Sequence, residues 1–459
     1  MKMMEAYKLL QRGAEALTLV EEAGICIDLV YVREKLAWVE QKLKQSELRL
    51  KSSELGIAWL GRYGDAMKIQ SVPQLRHILY QDMRAKPFKM SEGGEESTNE
   101  ESLRQTNVDG VVHLLRMRRL KKAKDVLKVL IRSTVNGKIH PSFLLHTVST
   151  YRSSSADPNL QNIPARDKEI MDICRRAFLP SPGHILMEID FSGIEVGIAA
   201  TYHKDPVMIK YLQDETSDMH GDMAGEIFLL PKLNTPLKEM EGGYTLRQSA
   251  KNGFVFPQFY GDYYEPCALN VACSWCKLPK DGMWKPNHGV VFNGKPIGEH
   301  LISKDIDSFS VFVDHMERVQ NNFWGKRFKV YNAWRKTWHS KYQKTGEFEM
   351  KTGFRVSGVM EKNQVINFPV QGAAFHCLLW SLIEMVKQLK GWQSKVVGEI
   401  HDSMLIDAHP DEISDIILMA QQICTVDLPN HWSWIDIPMR IEVAASEIDG
   451  NWAEMKGAA

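Results

Sequence analysis

The chain has 459 residues, 44% hydrophobic and 25% charged, which is ordinary globular usage and excludes a mostly disordered, collagenous or coiled-coil protein. Lys and Arg total 57 and Asp and Glu total 57, so a uniformly basic nucleic-acid coat protein is excluded as well. Seven cysteines, an odd number in so long a chain, argue against a disulfide framework and for a reducing compartment.

The N-terminal segment, with Glu5, Glu15, Glu21 and Glu22, reads as an amphipathic helix over 5–24 and not as a signal peptide. No run reaches about 18 uninterrupted apolar residues, so no transmembrane helix and no membrane partner are expected. A short extended piece, GICIDLVY, precedes a second helix over 31–57. A third helix is expected over 71–83, with Ser71 as its cap. Residues 86–102 are rich in Gly, Glu and Ser and read as a polar tip. After it, residues 115–132 hold eight Lys or Arg and one acid, Asp125. Two helices flanking a polar tip make an antiparallel projection. The basic stripe on it is either a phosphate grip or a solvated helix face.

Residues 147–166 have no clean period and read as an ordered loop. HILMEID, 184–190, is a strand ending in a carboxylate, and 192–228 are largely helical. A helix over 244–256 runs into Pro257, and the stretch 265–308 looks irregular and inserted. Helix returns over 314–345 and over 363–390, the latter after Pro369, and 395–408 read as strand, tight turn, strand. Runs of helices with antiparallel strands indicate an α+β fold. The final part, 399–459, carries twelve acids against Arg440 and Lys456.

Three segments carry candidate chemistry. Asp190 ends a strand and Asp402 sits at a hairpin turn. Either is alone an ordinary turn residue. Side by side they would repel and need cations, and carboxylate oxygens suit Mg²⁺. Two such ions activate an attacking hydroxyl and stabilise a leaving oxygen in phosphoryl transfer. In the third segment Arg247 and Lys251 lie four apart and share a helix face, where fixed cations would neutralise a triphosphate. Phe256 and Tyr260 offer flat surface to a base and sugar. The plainer alternative is an amphipathic helix with two surface cations.

YRSSSADPNLQNIPAR, DFSGIEVGIAATYHKD, RQSAKNGFVFPQFYG, NFPVQGAA and EIHDS occur in the order found in family A DNA polymerases. The resemblance covers nearly the whole chain, and the fingers motif is most similar to bacteriophage members. It implies a right-hand fold: 1–30 begin the palm region, 31–135 form a thumb, 136–195 palm, 196–350 fingers with an insertion at about 265–308, and 351–459 palm. It implies a DNA-directed DNA polymerase that adds dNMP to a primer 3′-OH with release of pyrophosphate. Asp190 and Asp402 match the two metal-binding carboxylates, with the backbone carbonyl of Phe191 as a further ligand to two Mg²⁺ ions. Glu195 matches the steric gate against a ribose 2′-OH. His220, Arg247 and Lys251 match groups that touch the incoming phosphates, and Phe256 and Tyr260 match the aromatic pair at the nascent base pair. Arg152, Asn159, Gln371 and His401 match contacts to primer–template. Arg118, Lys122 and Lys124 fall where the thumb grips phosphates. Implied partners are primer–template DNA, dNTPs and a separate exonuclease or processivity factor. No proofreading exonuclease or 5′ nuclease is expected in this chain, and a cytoplasmic location is expected, that of a bacterial host if the chain is viral.

The chain departs from the family pattern in three places. One extra residue separates Lys251 from Phe256 and Tyr260, so the helix is expected to carry a bulge there. The ungapped alternative would put Val255 and Phe259 at the aromatic positions. Ser403 follows Asp402 where cellular members have Glu, which leaves two carboxylates. Cys267, Cys273, Cys276 and His288 in the insertion are a candidate zinc site, with buried free thiols as the alternative. Rival readings are a single-subunit RNA polymerase, a catalytically inactive primer–template binder and a metal-dependent nuclease.

Overall fold

The computed structural model describes residues 2–91, 93–165, 167–232, 235–279 and 281–457. Its centre is a five-stranded antiparallel sheet. In chain order the strands are β1 (Ile185–Phe191), β2 (Lys395–Ile400), β3 (Ser403–Ala408), β4 (Ile441–Ala445) and β5 (Lys456–Gly457), and their spatial order is β2-β3-β1-β4-β5. The apolar run of β1 places Ile185, Leu186, Met187 and Ile189 in the core, as a central strand covered on both faces requires. Its register with β3 sets Asp190 opposite Ser403, and its register with β4 sets Asp190 opposite Glu442.

The N-terminal helix α1 (Lys2–Ala23) leads into a short strand, Ile25–Ile27, that pairs with Lys138–Ile139 and Phe178–Leu179. Asp28 accepts from the Tyr31 amide at 2.9 Å and starts helix α2 (Leu29–Lys51). The single helix expected over 31–57 is broken at Ser52. Ser53 caps a new helix, Glu54–Tyr63, and Gly110, at φ +97°, lies so close that a Cβ there would sit 2.0 Å from the Ser53 hydroxyl. Ser71 caps the next helix as expected, by accepting from the Gln74 amide. The second long helix, α3 (Val111–Ser133), lies antiparallel along α2. Leu50, Leu55, Trp59, Leu75, Leu103 and Leu115 give the far end of this projection its own hydrophobic core, separate from the main one.

Beyond β1 come α4 (Ile194–His203), α5 (Pro206–Gln213), α6 (Met219–Ile227), α7 (Gly243–Ala250), α8 (Phe256–Tyr260) and α9 (Tyr264–Trp275). The helix does not stop at Pro257. Lys251–Val255 form a π-helical turn that runs without a break into α8, and Pro257 lies two residues beyond it. The stretch expected to be irregular is in large part ordered: α9 occupies its start, and a small hairpin and the helix Ile297–Ile302 come after it.

Helix α10 (Lys329–Thr345) precedes the long α11 (Lys362–Gln388), which contains Pro369 rather than following it. A proline inside a helix orphans the carbonyl four residues earlier. Here that carbonyl belongs to Val365, and the Trp338 indole donates to it at 3.0 Å. By length and composition α11 could cross a membrane, but 83% of its apolar window is buried inside the protein, the mark of a core helix.

Candidate active site

Strand β1 ends at the turn that joins β2 to β3. The Phe191 amide donates to the Asp402 carbonyl at 3.2 Å, so the two candidate aspartates sit on adjoining backbone. His401, in this turn, adopts φ +61°. Asp190 and Asp402 are both half-buried, and among the described residues no side chain donates a hydrogen bond to either carboxylate. Burial, with Asp402, Glu188 and Glu442 nearby, pushes Asp190 up to about 8. Burial also raises Asp402, and His401 and Arg152 offset part of that rise. Crowded oxygen donors with surplus negative charge fit a hard divalent cation.

The sequence leaves this site with two carboxylates as candidate ligands, and two further acids lie near them, each hydrogen-bonded to a neighbour. Glu442 on β4 pairs in register with Asp190, and its Oε1 accepts from the Ser192 hydroxyl at 2.9 Å. Glu188, two residues back on the same face of β1, accepts from Ser403 at 2.7 Å and from the Trp452 indole at 3.2 Å. Ser403 therefore serves as a donor to a neighbouring carboxylate. Glu188 follows from the two-residue period of β1, whereas only pairing with a strand distant in sequence reveals Glu442.

A cavity of about 500 Å³ opens beside the aspartates, lined by Arg152, Glu195, Phe256, Tyr260, Tyr331, Asn367, His401 and Asp402 among others. Glu195 stands in the first turn of α4. Arg152 Nη1 approaches its Oε1 at 3.3 Å, and the Tyr260 hydroxyl donates to its Oε2 at 2.7 Å. The Glu195 carboxylate is thus held from two sides. Burial and the Glu195 charge together raise the Tyr260 phenol.

The π-turn decides which aromatics reach this cavity. A helix widened to i→i+5 absorbs one residue without rotating the turns after it. Lys251 Nζ accordingly lies 5.3 Å from the centre of the Phe256 ring, five residues on, and Phe256 and Tyr260 both line the cavity. Val255 is fully buried, which excludes the ungapped reading for that position, whereas Phe259 also reaches the wall. Arg247 donates to Asp218 at 2.7 Å, so its charge is partly engaged. His220 packs edge-on to Phe256 at 5.6 Å, and its buried Nδ1 has no hydrogen-bond partner among the described residues. Burial, with Arg247 and Lys251 close by, pushes it down to about 4, which keeps the ring neutral. The structure therefore gathers His220, Arg247, Lys251 and Phe256 into one cationic and aromatic group.

The remaining sequence candidates are placed less uniformly. Arg152 faces the cavity with His401. Asn159 spends its side-chain oxygen on capping Leu160–Asn162, accepting from Asn162 at 3.0 Å, and Gln371 is half-buried in α11. The basic stripe on α3 is not a free row of cations. Arg118 is half-buried and donates to the Thr98 carbonyl at 2.7 Å, and Lys124 pairs with Glu40 at 2.8 Å. Arg116 and Arg119 pair with Glu169 and Asp167. At 100° per residue Lys124 points well away from Arg118 and Lys122, and of the three only Lys122 is exposed and without an ion pair among the described residues.

Cys273 and Cys276 lie near each other, but the four candidate ligands of the insertion do not converge. Among the described residues there is no group of three or more metal-ligating side chains. Cys267 and Cys273 are six apart on α9 and so face different ways: Gln258 reaches the first and Gln105 the second, each at 3.4 Å. His288 instead accepts from the Lys285 amide.

Sequence reasoning missed Glu399, fully buried on β2, which accepts from Ser153 and from Gln161 at 3.0 Å. It ties the hairpin of Asp402 to the loop that carries Arg152. It also missed Tyr331 and Asn367 on the cavity wall. Asn367 donates to the Tyr260 carbonyl at 3.3 Å. Its place in NFPVQGAA was a signal, whereas nothing marked Tyr331.

A central antiparallel sheet presenting paired aspartates, flanked by a two-helix projection and a helical region with a cationic face, defines the right-hand polymerase class of fold. The family model for DNA polymerase family A matches residues 36–271, and the chain belongs to that family. It is 24% identical over 399 residues to DNA polymerase I of Borreliella burgdorferi, covering 85% of this chain and 39% of that protein. It is 25% identical over 414 residues to the thermostable DNA polymerase I of Thermus thermophilus, covering 86% and 42%. The chain thus spans about two fifths of the length of these bacterial relatives. The POL domain of Pol1 from M. smegmatis, solved in complex with DNA primer-template and dNTP, superposes with a TM-score of 0.74 at 20% identity, covering 97% of this chain and 70% of that one.

Proposed function

We propose that this chain performs template-directed DNA synthesis, joining a dNMP to a primer 3′-OH and releasing pyrophosphate. The observation that carries the proposal is the convergence of Asp402, Glu195 and Tyr260 on one cavity, with Asp190 beside Asp402 and a Phe256 wall that adjoins Lys251 and His220. The donor set at Asp190, Asp402 and the Phe191 carbonyl fits two Mg²⁺ ions, which when bound lower the pKa of the attacking hydroxyl and neutralise the leaving oxygen. The chain's own residues position the reactants. Lys251 and Arg247 hold the triphosphate charge, with Asp218 keeping the Arg247 guanidinium oriented until phosphates compete for it. His220, neutral, offers a hydrogen bond to phosphate oxygen without adding charge.

Glu195 fills the space a 2′-OH would need, and its two clamps, Arg152 and Tyr260, keep it there. That restricts the substrate to dNTPs and favours a DNA over an RNA polymerase. Phe256 and Tyr260 supply the flat walls for the nascent pair. Arg152 and His401, both on the cavity wall, are the residues best placed to meet the primer terminus. Positioning and charge neutralisation are enough for phosphoryl transfer, which asks little covalent chemistry of the protein. The test is primer extension with dNTPs and with rNTPs. Template-dependent extension by dNTPs alone is the expected result, and no extension with either would refute the reading.

A further inference from the structure

The observation without a role so far is the effort the fold spends on one tyrosine. Tyr331, in the first turn of α10, lines the cavity with Glu195 and Tyr260 and is only 4% exposed. Its ring is stacked on the His203 ring at 3.9 Å and 21°, and it meets Phe259 at 5.7 Å and Trp324 at 5.4 Å. Its amide and that of Val330 both donate to Asp205 Oδ2 at 3.0 Å. Asp205 is itself buried, and its other oxygen caps α5 through Val207 and Met208. The Asp205 amide in turn donates to His203 Nδ1 at 2.9 Å, which fixes that ring's tautomer and its plane. A buried carboxylate and a buried imidazole, both costly to desolvate, thus converge on the backbone and ring of Tyr331. Its phenol makes no hydrogen bond among the described residues.

We propose that Tyr331 is a positioning residue for sugar selection: it is the rigid backing of the Glu195–Tyr260 gate. Arg152 and Tyr260 restrain the Glu195 carboxylate through polar contacts, which a substrate hydroxyl can compete for. A packed ring cannot be outcompeted in that way. With Tyr331 clamped by His203 and Asp205, the gate has no apolar space to withdraw into when a 2′-OH presses on it. Close-packed walls of this kind are felt to within a methylene. The role rests on the polymerase reading above and deepens it.

The experiment compares the rNTP/dNTP ratio of kcat/KM in the wild type, Tyr331→Ala, Tyr331→Leu and Tyr331→Phe. Opening the wall is expected to raise that ratio at least about tenfold in Tyr331→Ala, by a lower KM for rNTP, with a smaller rise in Tyr331→Leu. Tyr331→Phe, which keeps the ring, is expected to restore the wild-type ratio. A merely structural role would slow both substrates together and leave the ratio unmoved. Should Tyr331→Ala fail to fold, Tyr331→Leu carries the same comparison. An unchanged ratio in a folded Ala or Leu variant overturns the proposal, as does a Tyr331→Phe ratio as high as that of Tyr331→Ala. If the wild type itself extends no primer, it is the polymerase reading that fails, so the two failures are separable.

Discussion

Removing the Asp205 carboxylate would expose how much stability that one side chain carries. In Asp205→Ala four amides lose their acceptor: Val207 at 3.0 Å, Met208 at 3.4 Å, and Val330 and Tyr331 at 3.0 Å each. The first pair is an N-cap, worth about 1 kcal/mol. The second pair opens α10, and with Asp205 only 1% exposed water has little access to replace it, so about 1–3 kcal/mol of desolvation is left uncompensated. Relief of the carboxylate's own burial returns part of this, giving a net loss of about 3 kcal/mol. For a chain of this length unfolding as a unit, that is a fall of about 3 °C in the thermal midpoint. Asp205→Asn is expected to lose roughly half as much, because its amide oxygen can still accept from one pair while its nitrogen cannot accept from the other. Urea unfolding followed by circular dichroism measures both. A loss below about 1 kcal/mol in Asp205→Ala would refute the double-cap account, since that is no more than a single surface cap.

The other predictions concern activity. Asp190→Ala or Asp402→Ala is expected to abolish incorporation at any Mg²⁺ concentration while primer–template affinity, measured by fluorescence anisotropy, stays nearly unchanged. Near wild-type extension by either variant would remove the basis for the metal assignment. Glu195→Ala, which frees the Tyr260 hydroxyl and Arg152 along with the sugar space, should raise rNTP use far more than it alters dNTP use in single-nucleotide insertion. Equal changes in both would count against a gate there. On the projection, Lys122→Ala should lower the slope of log affinity against log salt by about 0.9, whereas Arg118 and Lys124, already engaged, should each add clearly less. A triple variant that loses nearly three units would mean that DNA breaks the Lys124–Glu40 pair and uses the whole stripe.

The strand–turn–strand around Asp402, the apolar strand ending at Asp190 and the Ser71 cap could all be read from the sequence. Each rests on local pattern, period two with a turn or a cap before an apolar run. The bulge near Lys251 was legible too, because one surplus residue within a helical motif has few places to go. What sequence did not reveal depends on contacts between distant residues. Glu442 lies some 250 positions from Asp190, and only the pairing of β1 with β4 sets them opposite. The basic stripe was legible only in part for a related reason: composition shows that cations are present, but Glu40, Asp167 and Glu169, which pair with several of them, come from other segments. Of the two readings open for the insertion's cysteines, free thiols agree with helical geometry, since a spacing of six divides Cys267 from Cys273 across α9. Pro369 looked like a boundary because its compensating donor, Trp338, is remote in sequence.

The widened turn at Lys251–Val255 bears on how this helix can change length. Insertion or deletion of one residue in an ordinary helix turns every later side chain by about 100°, which would carry Tyr260 off Glu195 and face Phe256 away from Lys251. Here the surplus residue is confined to a single turn, and the two flanking helices keep their orientations. A one-residue deletion within 252–255 would convert that turn to an ordinary one and leave the aromatic face aimed at the cavity, whereas the same deletion one turn later, within 256–260, would not. Sequence length and spatial register are thus uncoupled at this turn, so two chains that differ by a residue here can present superimposable walls to the cavity.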